Sequence, residues 1–307
     1  MADTTATSGP THRWLMPAFF VVLWSTGFIV AKFGLPYAPP LTFLLLRCTG
    51  VLLVLLPLLL VWRAPWPHGR VKHIAIAGLL LQAGYLGGVW SAIKIGMPAG
   101  LSALIVGLQP ILTAVAAPLI GERVRPRQWL GLLLGLGGVA LVVAAKIETD
   151  GLFARSILYC VLALVSITAG TLYQKRFCPS FDLRTGTAIQ FAVSVAALLP
   201  LAIFLEQFDL SLSKVEWGAR FIGSLLWSIF ALSIGAIFLL FRLISRGAAL
   251  EVTSLLYLTP PTTAIMAWLL FGETLGPVAL VGMVVAVAGV AFVVKKPSSA
   301  VVVRSPR

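Results

Sequence analysis

The sequence predicts an all-α polytopic membrane protein, with ten transmembrane helices arranged as two inverted five-helix repeats. Three observations predict this fold class. The 307-residue chain is 59% hydrophobic and only 11% charged, with a mean hydropathy of +1.01. Its apolar residues fall into ten runs long enough to cross a bilayer, and its second half repeats its first. A soluble globular domain is excluded, because such domains carry about 25% charged residues.

Ten apolar runs, separated by charged residues, proline and glycine, are the predicted spans. Each is close to the roughly 20 residues that a helix needs to cross the hydrocarbon core. Helices satisfy their own backbone hydrogen bonds in lipid, and the runs are too long for barrel strands. In chain order the predicted spans are residues 14–33, 40–62, 73–93, 99–120, 127–145, 153–174, 184–205, 221–241, 249–271 and 276–294.

Lysine and arginine residues are distributed unequally between the two sets of alternating loops and tails. The set that includes both termini holds 16 of the 23 basic residues, the other set holds 6, and Arg47 lies inside a span. Because basic loops stay on the cytoplasmic side, this bias predicts cytoplasmic termini. The expected location is a bacterial-type inner (plasma) membrane. The bias also explains most of the +13 net charge. The charge therefore gives no reason to expect nucleic acid, and the expected partners are the lipid bilayer and a small-molecule substrate.

An internal repeat covers most of the chain. Residues 102–122 align with residues 253–273 at a constant offset of 151, and an offset of 143 applies earlier in the chain. An odd number of spans per copy makes the two copies cross the membrane in opposite senses, as in alternating-access secondary transporters. The predicted units are a cytoplasmic tail (1–13), a first repeat (14–145), a linker (146–152), a second repeat (153–294) and a basic cytoplasmic tail (295–307).

Several motifs resemble those of the drug/metabolite transporter superfamily, specifically its EamA-type ten-helix permeases. They are a Trp-Ser-Thr-Gly segment at 24–27, Arg47 in span two, a proline and a closing Gly-Glu in span four, and the glycine-rich run QWLGLLLGLGGVALV. The resemblance covers about residues 14–294. It implies a central cavity, lined mainly by spans three, four, eight and nine, and typically the export of amino acids or other small metabolites. The second copy departs from the first by having Gln190 at the position of Arg47, and Pro260-Pro261 at that of Gln109-Pro110.

Polar and aromatic side chains within the spans are the candidate substrate-binding residues. A polar group in hydrocarbon is costly unless it is satisfied, so we expect these side chains to point into the bundle. Hydrogen bonding between helices is the alternative role for each of them. Their mixture of aromatic rings and amides suits an amphiphilic ligand. The candidates are Trp24, Gln82, Tyr85, Ser102, Gln109, Trp227, Thr253 and Tyr257.

Three prolines in mid-span, Pro110, Pro260 and Pro261, are candidate hinge or gate residues. Each removes a backbone hydrogen bond, although a tolerated kink is the alternative. Arg47 either binds a substrate carboxylate or snorkels and caps helix carbonyls, and its position near the start of its span favours the structural role. Glycine spacings in spans five and ten allow close backbone approach, either between these two spans or in a homodimer.

Motifs for hydrolysis, ATP-driven pumping, metal sites or cofactors are absent from the sequence, so we expect no enzyme and no cofactor. All ten acidic residues lie in tails, loops or span ends, which predicts facilitated or weakly coupled transport. We therefore expect a secondary transporter, monomeric or homodimeric, that exports small amphiphilic metabolites, first of all amino acids and among them large neutral or aromatic ones. The alternatives are a carrier of anionic metabolites such as nucleotide sugars or sugar phosphates, and a polytopic membrane enzyme or channel.

Overall fold

The computed structural model describes residues 11–116, 118, 126–144, 151–178, 180–236, 239, 258–274 and 276–294. Within these ranges all regular elements are helical and form ten successive helices, which confirms the predicted fold class. They are α1 (Thr11–Gly34), α2 (Pro40–Trp62), α3 (Val71–Lys94), α4 (Ala99–Ala116), α5 (Pro126–Ala144), α6 (Gly151–Phe177), α7 (Leu183–Glu206), α8 (Ala219–Gly235), α9 (Thr259–Phe271) and α10 (Pro277–Val294).

Length and composition make the chain an integral multi-pass membrane protein. Six of the described helices are long and apolar enough to cross a bilayer, and α5, α8 and α10 contain shorter apolar stretches. Large apolar side chains are exposed on the outer faces, including Leu60, Leu133 and Phe204. Such exposure would be costly in water and is expected where a helix faces lipid.

Equivalent helices of the two copies make equivalent packing contacts. Helices α2 and α7, α4 and α9, and α5 and α10 each pack against their own repeat counterpart. Helix α1 contacts α8 and α9 of the second copy, and α6 contacts α3 and α4 of the first. The two copies are therefore interlocked, and their shared interface runs through the centre of the bundle.

Glycines bring α5 and α10 into backbone contact. A Cβ atom added to Gly138 would lie 2.4 Å from the carbonyl oxygen of Gly282, and one added to Gly289 would lie 2.7 Å from that of Gly131. Contacts this short admit only glycine at these positions. Of the two roles considered for these glycines, packing between spans five and ten is the one the structure shows.

Helices α3 and α8 each contain a π-helical segment at the same point of the repeat. The segments are Leu79–Gly84 and Phe230–Gly235, and their positions differ by 151 residues, the same offset that aligns residues 102–122 with residues 253–273. Hydroxyl groups bond to carbonyl oxygens at both places: Ser166 Oγ donates to Leu80 O at 2.8 Å, and Ser233 Oγ donates to Ser228 O at 2.9 Å. Segments of this kind occur frequently at functional sites.

Candidate functional site

A cavity of about 360 Å³ lies inside the bundle, and its lining belongs to both copies. The two π-helical segments face it with equivalent residues, Leu81 and Gln82 from α3 and Leu232 and Ser233 from α8. Aromatic side chains supply much of the remaining wall. The lining consists of Phe20, Trp24, Gly27, Phe28, Arg47, Leu81, Gln82, Tyr85, Leu86, Val89, Trp90, Ile167, Gln174, Phe181, Leu183, Thr187, Gln190, Phe191, Leu232, Ser233 and Ala236.

Arg47 supplies the one charged side chain among these lining residues. Only 7% of the residue is exposed, so its guanidinium does not snorkel to the end of α2. Nε and Nη2 donate to the Ser233 hydroxyl at 3.4 and 3.1 Å, and the guanidinium carbon lies 5.8 Å from the centre of the Trp90 ring. Because Ser233 belongs to the π-helical segment of α8, this segment fixes the position of the charge.

Neutral amides occupy the corresponding positions of the other copy. Gln190 is the repeat equivalent of Arg47, and Gln82 is the equivalent of Ser233. Gln190 Nε2 donates to Gln174 Oε1 at 3.0 Å. The cavity therefore has a cationic side formed by α2 and α8 and a neutral polar side formed by α3, α6 and α7.

One end of the cavity reaches the connection between α6 and α7, where Phe181 belongs to the lining. The other end of the bundle, which carries the α7–α8 connection and is called here the closed end, is packed with aromatic rings. Phe43 lies 4.6 Å from Trp90 and 5.0 Å from Phe221, measured between ring centres. Trp90, which lines the cavity, is thus backed by further aromatic rings at the closed end.

An ion pair joins the two copies at the closed end. Lys32 at the end of α1 binds the carboxylate of Glu273, which follows α9. The same carboxylate accepts the backbone N–H of Ala99 at 3.3 Å. This N–H belongs to the first turn of α4, where a negative charge is favourable. Glu273 thus connects α1, α4 and α9 beyond the cavity.

The candidate residues named from the sequence divide into three groups. Trp24, Gln82 and Tyr85 line the cavity, whereas Thr253 and Tyr257 lie outside the described residues. Ser102, Gln109 and Trp227 lie away from the cavity lining and bond between helices: Ser102 Oγ is 3.5 Å from Cys160 Sγ, Gln109 Nε2 donates to Thr171 Oγ1 at 3.0 Å, and Trp227 Nε1 donates to Thr26 Oγ1 at 3.0 Å. Substrate contact stays a prediction for all eight.

The three prolines lie at an interruption of α4 and at the start of α9. Helix α4 is interrupted at Gly107 and Leu108, directly before Gln109 and Pro110. Pro260 and Pro261 occupy the first turn of α9, where a missing N–H costs no helical hydrogen bond. A Cβ atom on Gly107 would lie 2.8 Å from Pro260 Cγ, so the interruption packs against this proline pair. The hinge role stays a prediction.

Sequence reasoning did not single out Ser233 or Gln174, and it favoured a structural role for Arg47, which the structure places in the cavity lining. The pairing of Arg47 with Gln190 at offset 143 was a usable signal, because repeat-related polar residues in the interior face a shared interface. The expected lining by spans three, four, eight and nine is met by α3 and α8. The described parts of α4 and α9 do not line the cavity, because these helices pack tightly on each other.

A helical bundle of two interlocked repeats around a closed-ended cavity defines a membrane transporter. The chain belongs to the EamA-like transporter family, whose model matches residues 14–144 and 154–295, one match for each copy. It is 30% identical to an uncharacterized transporter, YvbV, of Bacillus subtilis, over 92% of both chains. It is 29% identical to a probable amino-acid metabolite efflux pump of Salmonella typhimurium, over 88% of this chain and 90% of that protein.

A solved structure supports the fold. It superimposes with a TM-score of 0.61 at 21% identity, over 92% of this chain and 96% of its own. The relatives are transporters by name, so the protein is a transporter rather than an enzyme.

Proposed function

We propose that the protein exports amino acids or closely related small metabolites across a bacterial inner membrane by alternating access. The observation that carries the proposal is the cavity itself, which lies between two interlocked repeats and is closed at one end. Two copies with equivalent packing provide two equivalent ways of closing the bundle, one for each side of the membrane. The similarity to a probable amino-acid metabolite efflux pump supports this class of substrate.

The size and chemistry of the cavity fit a small amphiphilic solute. Its volume of about 360 Å³ is at the lower end of the usual range for small-molecule sites. Phe20, Trp24, Phe28 and Trp90 offer aromatic surface, and polar groups are few. Large neutral or aromatic amino acids combine an apolar side chain with two charged groups and match this arrangement.

We propose facilitated or weakly coupled transport. A proton-coupled carrier ordinarily titrates a carboxylate within the membrane, and none of the described lining residues is Asp or Glu. We further propose that both termini lie in the cytoplasm, which places the α6–α7 connection on the cytoplasmic side, and that an exported solute enters the cavity from this side in the described conformation. The lipid bilayer and the small solute are the proposed partners of a monomer or homodimer, without nucleic acid.

Counterflow in proteoliposomes tests the proposal. Vesicles containing the purified protein are preloaded with a mixed pool of amino acids, and uptake of labelled phenylalanine and threonine is followed with equal pH on both sides. We expect transient accumulation of label without a proton gradient, and none in protein-free vesicles. Accumulation that appears only with an imposed pH gradient would contradict weak coupling, and its absence under both conditions would contradict the amino-acid assignment.

Carriers of nucleotide sugars or sugar phosphates remain the second candidate class. Their substrates carry two or more negative charges, which several basic residues would bind. Arg47 is the one basic residue among the described lining residues, so amino acids are favoured. Counterflow of a labelled nucleotide sugar, in proteoliposomes preloaded with the same unlabelled nucleotide sugar, distinguishes the two classes.

A further inference from the structure

We propose that Arg47, positioned by Ser233, is the subsite that binds the carboxylate of the substrate. The proposal rests on the proposed transport function and names a chemical requirement of the same cavity. It makes Arg47 a determinant of specificity: a substrate must carry one carboxylate, and its amide, ester or decarboxylated analogue is rejected.

The first argument is the charge balance around Arg47. The guanidinium is buried, and among the described residues its bonded partners are the neutral Ser233 hydroxyl and the Trp90 ring. A buried cation is costly without a compensating anion. A guanidinium has five N–H donors, and the bonds to Ser233 use only two of them. The remaining donors are able to bind a carboxylate through two parallel hydrogen bonds.

The second argument is that the surrounding structure holds the guanidinium in place. Ser233 Oγ donates its own hydrogen to Ser228 O at 2.9 Å, which leaves its lone pairs to accept from Nε and Nη2 of Arg47. The Trp90 ring lies against the guanidinium, and its own packing against Phe43 restricts its movement. A donor held in this way loses little conformational freedom when an anion binds.

The third argument is the difference between the copies. The equivalents of Arg47 and Ser233 are Gln190 and Gln82, so the opposite polar side of the cavity is neutral. Amide oxygens there accept hydrogen bonds from an ammonium or hydroxyl group. One cationic side and one neutral side favour a zwitterion or monocarboxylate, and the described lining offers no second cation for a dianion.

Ligand binding is measured separately from transport, by the fluorescence of the purified protein, because Trp24 and Trp90 line the cavity. The ligands are phenylalanine, 3-phenylpropionate, phenylalaninamide and phenethylamine. We expect the two carboxylates to bind and the two amines without a carboxylate to bind at least about tenfold more weakly. Equal binding of phenylalanine and phenylalaninamide, or no binding of either carboxylate, would overturn the proposal.

Variants then assign the preference to Arg47. Arg47→Gln, which copies the other repeat, should remove the preference, Arg47→Lys should retain part of it, and Ser233→Ala should weaken carboxylate binding while the charge remains. Arg155→Gln, at an exposed position of α6, is the matched control and should bind like the wild type. Thermal unfolding in detergent shows that each variant is folded.

The two proposals fail in different ways. A folded Arg47→Gln protein that keeps the carboxylate preference would overturn the subsite, even if amino-acid counterflow is observed. Carboxylate binding that depends on Arg47 without amino-acid counterflow would overturn the proposed substrate and leave the subsite in place.

Discussion

Asp182 shows at the scale of single residues how one side chain positions the wall of the cavity. Its Oδ1 accepts the backbone N–H of Arg184 at 2.8 Å and caps the start of α7. The Arg184 side chain also bonds the carboxylate, and this hydrogen bond is the main reason that the pKa of Asp182 is lowered from its ordinary value. Leu183 and Thr187, which line the cavity, lie in the first turns of α7, so the cap holds them in register.

Removing this cap should destabilise the protein. Asp182→Ala should cost about 1 kcal/mol, because an N-cap acceptor is lost, and Asp182→Asn should cost less since its amide oxygen still accepts. Because the pKa of Asp182 is lower in the folded protein than in the unfolded chain, the ionised carboxylate adds to the free energy of unfolding at pH values above the unfolded pKa. This stabilisation is lost as the pH falls through the folded pKa. Between about pH 6 and pH 3, acidification should therefore lower the thermal stability of Asp182→Asn less than that of the wild type. An equal loss of thermal stability on acidification in the wild type and the variant would contradict this role.

Helix pairs, the next scale, depend on a few close backbone contacts. Gly138 and Gly137 are neighbours on α5, but only Gly138 faces α10. The contact is between backbones, so no side chain can move aside to admit a larger residue. The two positions therefore provide a matched comparison within one helix.

Gly138→Ala should destabilise the bundle by about 1–3 kcal/mol through overpacking, because its Cβ would lie 2.4 Å from Gly282 O. Gly137→Ala has nothing within 4 Å of the added Cβ and should be neutral or slightly stabilising through helix propensity. Thermal unfolding of both variants in detergent measures the difference. If Gly138→Ala is as stable as Gly137→Ala, the close α5–α10 contact is incorrect.

How far elements can be predicted from sequence depends on what interrupts the apolar pattern. The predicted span 40–62 coincides with α2, because prolines mark its start and Arg63, in a left-handed conformation, follows its end. The π-helical segments have no such signal: one extra residue in a helical turn leaves hydropathy almost unchanged. Arg47 was ambiguous for a related reason, since a residue seven positions into a span can reach either the interface or the interior, and packing of α2 against α8 decides between them.

At the scale of the whole molecule, the two copies are held together at the closed end by Lys32 and Glu273. The pair links α1 of the first copy to α9 of the second, and Glu273 also holds the start of α4. Opening that end of the cavity requires these helices to separate. The ion pair therefore stabilises the described conformation relative to one in which the closed end is open.

Charge reversal should shift this balance. Lys32→Glu or Glu273→Lys should increase the rate at which an impermeant thiol reagent, added on the closed-end side, modifies a Gln82→Cys reporter in the cavity. The double exchange, Lys32→Glu with Glu273→Lys, should slow labelling again in part, because the attraction between residues 32 and 273 is re-formed while the carboxylate at the start of α4 is lost. Lys214→Glu, exposed at the same end, is the control. Unchanged labelling in both single variants would show that the pair does not limit opening.

The matching positions of the two π-helical segments indicate how the two copies are related. An inserted residue displaces everything that follows it. One insertion, later copied by gene duplication, therefore explains the two π-helical segments more economically than two separate insertions at the same repeat position. A single five-helix ancestor would then already have carried the extra residue. Such a chain could have enclosed a cavity only by pairing with an oppositely oriented copy of itself, with identical residues on both sides. On this account the contrast between Arg47 and Gln190 arose after duplication, once each copy was free to change alone.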